Sequence, residues 1–310
     1  MKVLLQDLDK VLRQARVFLE KVGLSEELRG WRWDTPPVEP PIRGISVSVS
    51  EVSGRYCESM RDIYLKYVEG VEAKPTLVMR EGKVYHRVLE EVLTRVKSIV
   101  YGHGIIEGAG IFSLLLEQRN RCIENIIKQE IGPIDSEKSI ENVVKKASKL
   151  WNYLSLKYSA AIDNSRASHR KIGLDALVAM SVPQIVEYRV DGSPLGLSSE
   201  LSVDVFQPSS IVFEVKTGRK RWFHKLATTG YAMAFEASRE LPINIGVVMY
   251  MHFDERGLPQ IKMDYHMIDD EWRRRFLETR DTILEIITNE RDPGKPPRCY
   301  EYCPLKEYCG

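Results

Sequence analysis

A chain of 310 residues with 43% hydrophobic content is long enough for one large domain or two ordinary ones and can bury a proper core. Its 45 basic and 44 acidic side chains nearly cancel, which excludes a protein that grips nucleic acid by bulk charge; any such contact must be local. No run approaches the ~18 consecutive apolar residues of a membrane span, and the start, Met1 to Asp7, lacks the apolar segment of a signal peptide, so a cytoplasmic protein without membrane attachment is expected.

Apolar residues at helical spacing run over 4–22. The stretch from Trp31 to Pro41 is too rich in proline for regular helix and is expected to wrap the surface. A helix with a serine cap is predicted over 50–67, and another over 83–101, after Gly82, with Val84, Val88, Val92 and Val96 four apart. Two or three more helices are expected over 105–160. The pattern then turns to short β-rich runs at 184–190, 196–206 and 210–216, separated by Asp191-Gly192-Ser193-Pro194 and Gln207-Pro208, which reads as an antiparallel meander. A helix over 224–240, strands at 243–251 and 260–268, and a helix over 270–288 complete the core. In that last helix Trp272-Arg273-Arg274-Arg275 is expected to pack through Trp272 and leave its charges in water.

Asp204 and Glu214 fall on adjacent predicted strands, and strand alternation puts Glu214 and Lys216 on one face. Carboxylates flanked by Val, Phe and Ile are costly to bury unless paired or bound to a cation, so an Asp and a Glu converging near a Lys suggest a hard-metal site. In phosphodiester cleavage such a metal polarises the phosphate and activates water, while a lysine positions that water or offsets developing charge. An isolated E-x-K is more often the polar face of an edge strand. Weight comes from Asp204, across one turn, and from His86 in Gly82-Lys83-Val84-Tyr85-His86, expected in the first turn of its helix.

Together these residues resemble the RecB-type nucleases of the PD-(D/E)xK superfamily, in which G-x-x-x-H precedes a strand Asp and then E-x-K, followed by a helix bearing a Tyr. The resemblance implies that His86, Asp204 and Glu214, with the backbone carbonyl of Val215, ligate Mn2+ or Mg2+, and that Lys216 is catalytic. Tyr231 matches the motif's tyrosine and is assigned with Lys216 to the catalytic set, core packing being the alternative. Ala227 stands where the motif carries glutamine, four residues before that tyrosine.

Five cysteines are too few for a disulfide scaffold, and a reducing compartment points to metal or cluster ligation. Cys299, Cys303 and Cys309 fall within the last twelve residues and need a fourth thiolate. Cys57 is the better candidate, because Cys122 lies on a helical run where a free cysteine commonly fills core. One remote cysteine plus C-x₃-C-x₅-C reads as a [4Fe-4S] cluster rather than paired zinc knuckles, zinc remaining the alternative. The set narrows the resemblance to the CRISPR-associated RecB-like exonucleases, the fourth Cas protein family, in which one N-terminal and three C-terminal cysteines hold such a cluster. The segment from Gly30 to Pro37 is similar to the archaeal subtype I-A variety. The C-x₃-C spacing is one longer than the commonest family pattern.

Directly after the E-x-K strand, Arg219, Lys220, Arg221 and Trp222 combine phosphate neutralisation with base stacking, which fits single-stranded DNA; a solvated helix start is the plainer alternative. The expected architecture is α/β: a mixed sheet flanked by helices, with a cluster joining the termini. Residues 1–45 form an N-terminal helix and irregular segment; residues 46–310 form the nuclease domain, with a helical insertion at about 105–165 and the cysteine cluster at 299–309. The resemblance implies a metal-dependent deoxyribonuclease that trims single-stranded DNA or overhangs from the 5′ end during CRISPR spacer acquisition, together with the integrase and its small partner protein. Self-association is left open. Ala227 keeps alive a second reading, a non-catalytic DNA-end-binding or scaffolding subunit, and a zinc-stabilised RNA-processing enzyme is a third.

Overall fold

The computed structural model describes residues 10, 12–15, 17, 21, 23–131, 137–208 and 210–309. The helix expected over 4–22 lies mainly outside them, although the positions of it that are described are helical. Helices α1 (Val49–Ser53), α2 (Arg61–Tyr67), α3 (Leu77–His103), α4 (Gly108–Glu130), α5 (Glu137–Ser168) and α6 (Leu174–Ser181) precede the strands β1 (Ile185–Val190), β2 (Leu201–Gln207) and β3 (Ile211–Lys216). Then come α7 (His224–Arg239), β4 (Ile245–Phe253), β5 (Pro259–Met267) and α8 (Asp270–Asn289). Among the described residues no helix is long and apolar enough to cross a membrane.

Two helical expectations need correction. The helix expected over 50–67 is two short ones. Ser48 caps the first through a capping box, its hydroxyl accepting from the Glu51 amide at 3.2 Å while its own amide donates to Glu51 at 2.6 Å. Gly54 ends that helix, and Met60, left-handed at φ 60°, starts the next. The helix expected from Lys83 begins instead at Leu77, where the Thr76 hydroxyl accepts from the Met79 amide at 3.4 Å. Gly82 is therefore inside α3, and His86 lies well beyond its first turn.

The strands form one sheet in the order β1-β2-β3-β4-β5. The first three make the expected antiparallel meander, β3 and β4 run parallel across the α7 crossover, and β5 returns antiparallel. Each face buries its own core. On one side Val84, Val88, Val92, Val96 and Val100 of α3 pack with α4 to α6 against Ile211, Phe213 and Val215. On the other, α7 and α8 close over Val212, Val203 and Phe206 with the segment that contains Leu28 and Val38.

That second layer is locked by buried charge. Glu236 of α7 is fully buried and accepts from Arg273 at 2.6 and 2.8 Å, from Arg29 at 2.7 Å and from the Gly30 amide at 2.8 Å. Arg273 also donates to the carbonyls of Leu28 and Ile243. The expectation that Arg273 points into water is thus wrong; it is fully buried because an acceptor from each neighbouring segment satisfies it, whereas Arg274 and Arg275 are exposed. Removing one partner of a buried pair strands the other charge. Glu236→Gln is therefore expected to lower the free energy of unfolding by about 3–5 kcal/mol in urea denaturation. Arg43→Ala, which breaks the exposed Arg43–Glu39 pair, should change it by less than about 1 kcal/mol; equal effects would show that the buried network is not the anchor.

Candidate active site

The site lies where β2 and β3 part. Their ladder runs Gln207↔Ile211, Phe206↔Val212, Val205↔Phe213, and one further step would set Asp204 opposite Glu214. There the backbone pairing stops, and the Asp204 carboxylate accepts the Val215 amide at 2.7 Å in its place. An amide at the end of a ladder needs an acceptor, and this one takes a carboxylate oxygen. β1 is disturbed at the same level. Its pairing with β2 passes from Val186↔Val205 to Tyr188↔Val203, skipping Glu187, which is left-handed at φ 49°. The interruption turns the strands over: Val186 and Val205 pack on the α3 side, but Tyr188 and Val203 pack on the α7 side.

Around this break stand the residues singled out in the sequence. Glu214 and Lys216 share a face as alternation requires, and Lys216 Nζ lies 2.5 Å from Glu214 Oε1. His86 reaches in from α3, its Nδ1 3.6 Å from Asp204 Oδ1. The glycine of G-x-x-x-H eases that approach: a Cβ on Gly82 would stand 3.1 Å from Thr217 Oγ1, a tight contact that Thr217 would have to relieve by a few tenths of an ångström. Tyr231 of α7 is buried, and its hydroxyl is held far from ionising by burial and by the charges of Glu214, Asp204 and Glu187. Ala227 is buried in the α7-side core.

The electrostatics separate the two carboxylates. Burial works against the charge on Asp204, but His86, the Val215 amide and Lys216 outweigh it and hold the group below its ordinary value. For Glu214 burial prevails over Lys216, and the carboxyl is pushed up. Lys216 resists the same burial through Glu214 and Asp204 and remains an ammonium ion. Glu214 Oε2 is buried with no hydrogen-bond partner among the described residues. No three donors among those residues already close around one point. Even so, the set is two carboxylates and an imidazole with one buried oxygen unspent, a chemistry that suits a hard divalent cation. Asp204, Glu214 and His86 are the side chains that could hold it, and the Val215 carbonyl follows Glu214 on the same strand.

A cleft of about 670 Å³ opens from this point, with His86, Val215 and Lys216 on one wall and Cys57, Cys299, Cys303 and Cys309 on another. The wall is tied together by Arg61 and Asp292, 3.0 Å apart, and by Ser59, whose hydroxyl donates to the Gly294 carbonyl at 2.8 Å. All four cysteines are free thiols; Cys303 is pushed up by burial and by its neighbours Cys299 and Cys309. Four thiols facing one space from two distant segments fit an iron–sulfur group by their donor chemistry. Cys122 is buried in the apolar layer around α4, away from that cleft.

Arg219, Lys220, Arg221 and Trp222 occupy the exposed loop beyond Gly218, which itself lines the cleft. Lys220 reaches Asp264 at 2.8 Å, and Arg275 lies 5.8 Å from the Trp222 ring. Lys83 and Arg87, on the turns of α3 beside His86, also line the cleft, Arg87 paired with Glu90 at 2.7 Å and with Glu130 at 3.5 Å. Sequence reasoning missed Glu187, which also lines the cleft; no motif marks it, and only its register opposite Asp204 reveals it. It also missed a relay in which Tyr56 Oη meets His224 Nε2 at 3.0 Å and His224 Nδ1 meets Tyr250 Oη at 3.0 Å. Burial and the cations Lys216 and Arg221 push His224 down to about 3, so its ring is neutral.

The architecture is therefore a mixed five-stranded α/β sheet with a carboxylate, histidine and lysine constellation where its inner strands β2 and β3 part, near a cleft lined with cysteines. A family model for the CRISPR-associated exonuclease Csa1 matches residues 1–310, and the chain belongs to that family. It is similar to the CRISPR-associated exonuclease Csa1 of Saccharolobus solfataricus, 31% identical over 305 residues that cover 97% of each chain. It is also similar to the protein so named from Thermoproteus tenax, 30% identical over 305 residues that cover 98% of each.

For His86 burial favours the neutral ring, but Asp204 outweighs it and raises the group above its ordinary 6.5. The raised value means that the pair's contribution to stability is complete below about pH 6.5 and fades as pH rises through the folded value. In metal-free protein the NMR titration of His86 is expected to have its midpoint above 6.5, and in Asp204→Asn, where its largest opposing partner to burial is gone, to move down. An unchanged midpoint in Asp204→Asn would break the pairing.

Proposed function

We propose that this chain is a divalent-metal-dependent DNA exonuclease that trims single-stranded DNA or overhangs from the 5′ end in CRISPR spacer acquisition, acting beside the integrase and its small partner. The observation that carries the chemistry is the buried, unpartnered Glu214 Oε2 beside Asp204 and His86. A Mn2+ or Mg2+ held by these groups and the Val215 carbonyl would polarise the scissile phosphate and lower the pKa of an attacking water. Lys216 stays protonated, which assigns it to stabilising negative charge on phosphate or orienting water rather than abstracting a proton. Glu214 fixes the ammonium through Oε1. Tyr231 keeps its proton and is available as a hydrogen-bond donor. Lys83 and Lys216 are the cleft cations available to phosphate, Arg87 being held by Glu90 and Glu130. The polarity and the setting in spacer acquisition follow from the family resemblance.

Asp204→Asn, Glu214→Gln and Lys216→Ala are each expected to reduce cleavage of labelled single-stranded DNA in manganese at least about 100-fold. Chelation should do the same. Wild-type rates in Glu214→Gln, in a preparation free of contaminating nuclease, would reject the site and favour the second reading, a DNA-end-binding subunit, for which buried Ala227 in place of glutamine speaks.

The cysteine wall supports a [4Fe-4S] cluster on Cys57, Cys299, Cys303 and Cys309, because all four border one cleft while Cys122 does not. Protein purified without oxygen should be brown and contain iron and sulfide. Cys57→Ala should lose both, together with thermal stability, since ligation energy is partly folding energy, whereas Cys122→Ala should keep them. Stoichiometric zinc without iron would overturn the assignment.

A further inference from the structure

Between the cysteines and Lys216 the cleft carries an aromatic surface that neither metal chemistry nor cluster ligation requires. Tyr56 and Tyr300 face each other with ring centroids 4.8 Å apart, and Tyr302 meets Tyr300 at 5.8 Å. Tyr56 rests on Phe223 at 4.8 Å and is oriented by its hydrogen bond to His224. Core tyrosines would be covered, yet Tyr56 is 37% and Tyr302 49% exposed, and all three tyrosines line the cleft that holds His86 and Lys216. Tyr300 and Tyr302 also alternate with Cys299 and Cys303 in Cys299-Tyr300-Glu301-Tyr302-Cys303, so the fold of the cysteine segment sets where their rings stand.

We propose that Tyr300 and Tyr302, backed by Tyr56, form a stacking subsite for the unpaired bases next to the phosphate at Lys216. Every base has a π-face, so the subsite tolerates any sequence. A base inside a duplex has both faces covered and its edge paired and cannot enter, so the tyrosines favour unpaired bases over the interior of a duplex without reading base edges. The cysteine-bearing segment thereby becomes part of the substrate track, and its aromatic residues are positioning residues for the scissile phosphate. This rests on the nuclease reading for its substrate class, but stacking is read here without cleavage.

The test uses the full chain, purified anaerobically with its iron and held in chelator. The probe is a short single-stranded oligodeoxynucleotide with 2-aminopurine near one end. Wild type is expected to change the 2-aminopurine fluorescence on binding. Tyr300→Ala/Tyr302→Ala should abolish that change and weaken single-strand binding roughly 5- to 150-fold per stacked base lost, with blunt duplex binding unchanged. Tyr300→Phe/Tyr302→Phe, which keeps the rings, should behave as wild type. If the alanine protein loses iron, Tyr302→Leu is measured in its place, since it keeps apolar bulk without a π-face. Wild-type fluorescence and affinity in an iron-containing alanine or leucine variant would overturn the proposal, as would a phenylalanine variant as weak as the alanine one. A protein that shows the signal yet never cuts DNA in manganese would fail as a nuclease while keeping the subsite; one that cuts without the signal would do the reverse.

Discussion

The need of one backbone amide for an acceptor organises this molecule's edge. Where β2 leaves β3, the Val215 N–H has no strand opposite it, and Asp204 takes it on a side-chain oxygen. Everything nearby follows from that substitution of side chain for ladder. β2 and β1 can turn over at the level of Asp204 and Glu187, a space opens beyond them, and Asp204 is fixed with its second oxygen toward His86. The carboxylate thus has one structural obligation, to the backbone amide, and one oxygen turned to the histidine. Glu214 divides in the same way, one oxygen on Lys216 and the other unclaimed.

The cleft has walls drawn from opposite regions of the sequence. α3 brings His86 close with Gly82 turned to Thr217, where a side chain would make a tight contact. The segment around Cys57 is held to the stretch before Cys299 by the Arg61–Asp292 pair and the Ser59–Gly294 hydrogen bond, so the cysteine wall has protein contacts of its own. α7 stands behind the cleft, where His224 hydrogen-bonds the lining residue Tyr56, and its placement depends on Glu236, which the segment at Arg29 and Gly30 and the helix at Arg273 grasp together.

Much of this was legible in the sequence. The meander, the α7 crossover and the face shared by Glu214 and Lys216 follow from alternation and turn residues, because those strands obey their period. Glu187 stayed hidden for the complementary reason: at that level the period fails, with Val203 and Val205 on opposite sides of the sheet, and no local pattern announces it. The start of α3 was misplaced because Gly82 reads as a breaker, whereas its glycine serves a helix–loop contact with a residue far along the chain. Arg273 was misjudged beside Arg274 and Arg275, since only one of three adjacent arginines meets Glu236, a partner named by tertiary structure alone. Helix 50–67 broke at Gly54, a stop the sequence does carry, and restarted at Met60, whose left-handed backbone nothing in its residue type foretells.

The charge buried between α7, α8 and the Arg29 segment also gives this seam its own response to heat. Withdrawing ions from water becomes less costly as temperature rises, while the apolar contribution per unit area levels off. The Glu236–Arg273 clamp therefore gains weight relative to the valine-rich layer beneath α3 as the protein warms. Cooling reverses the trend, so the clamp that seats α7 behind the site carries its greatest relative weight in the hot part of the molecule's stable range.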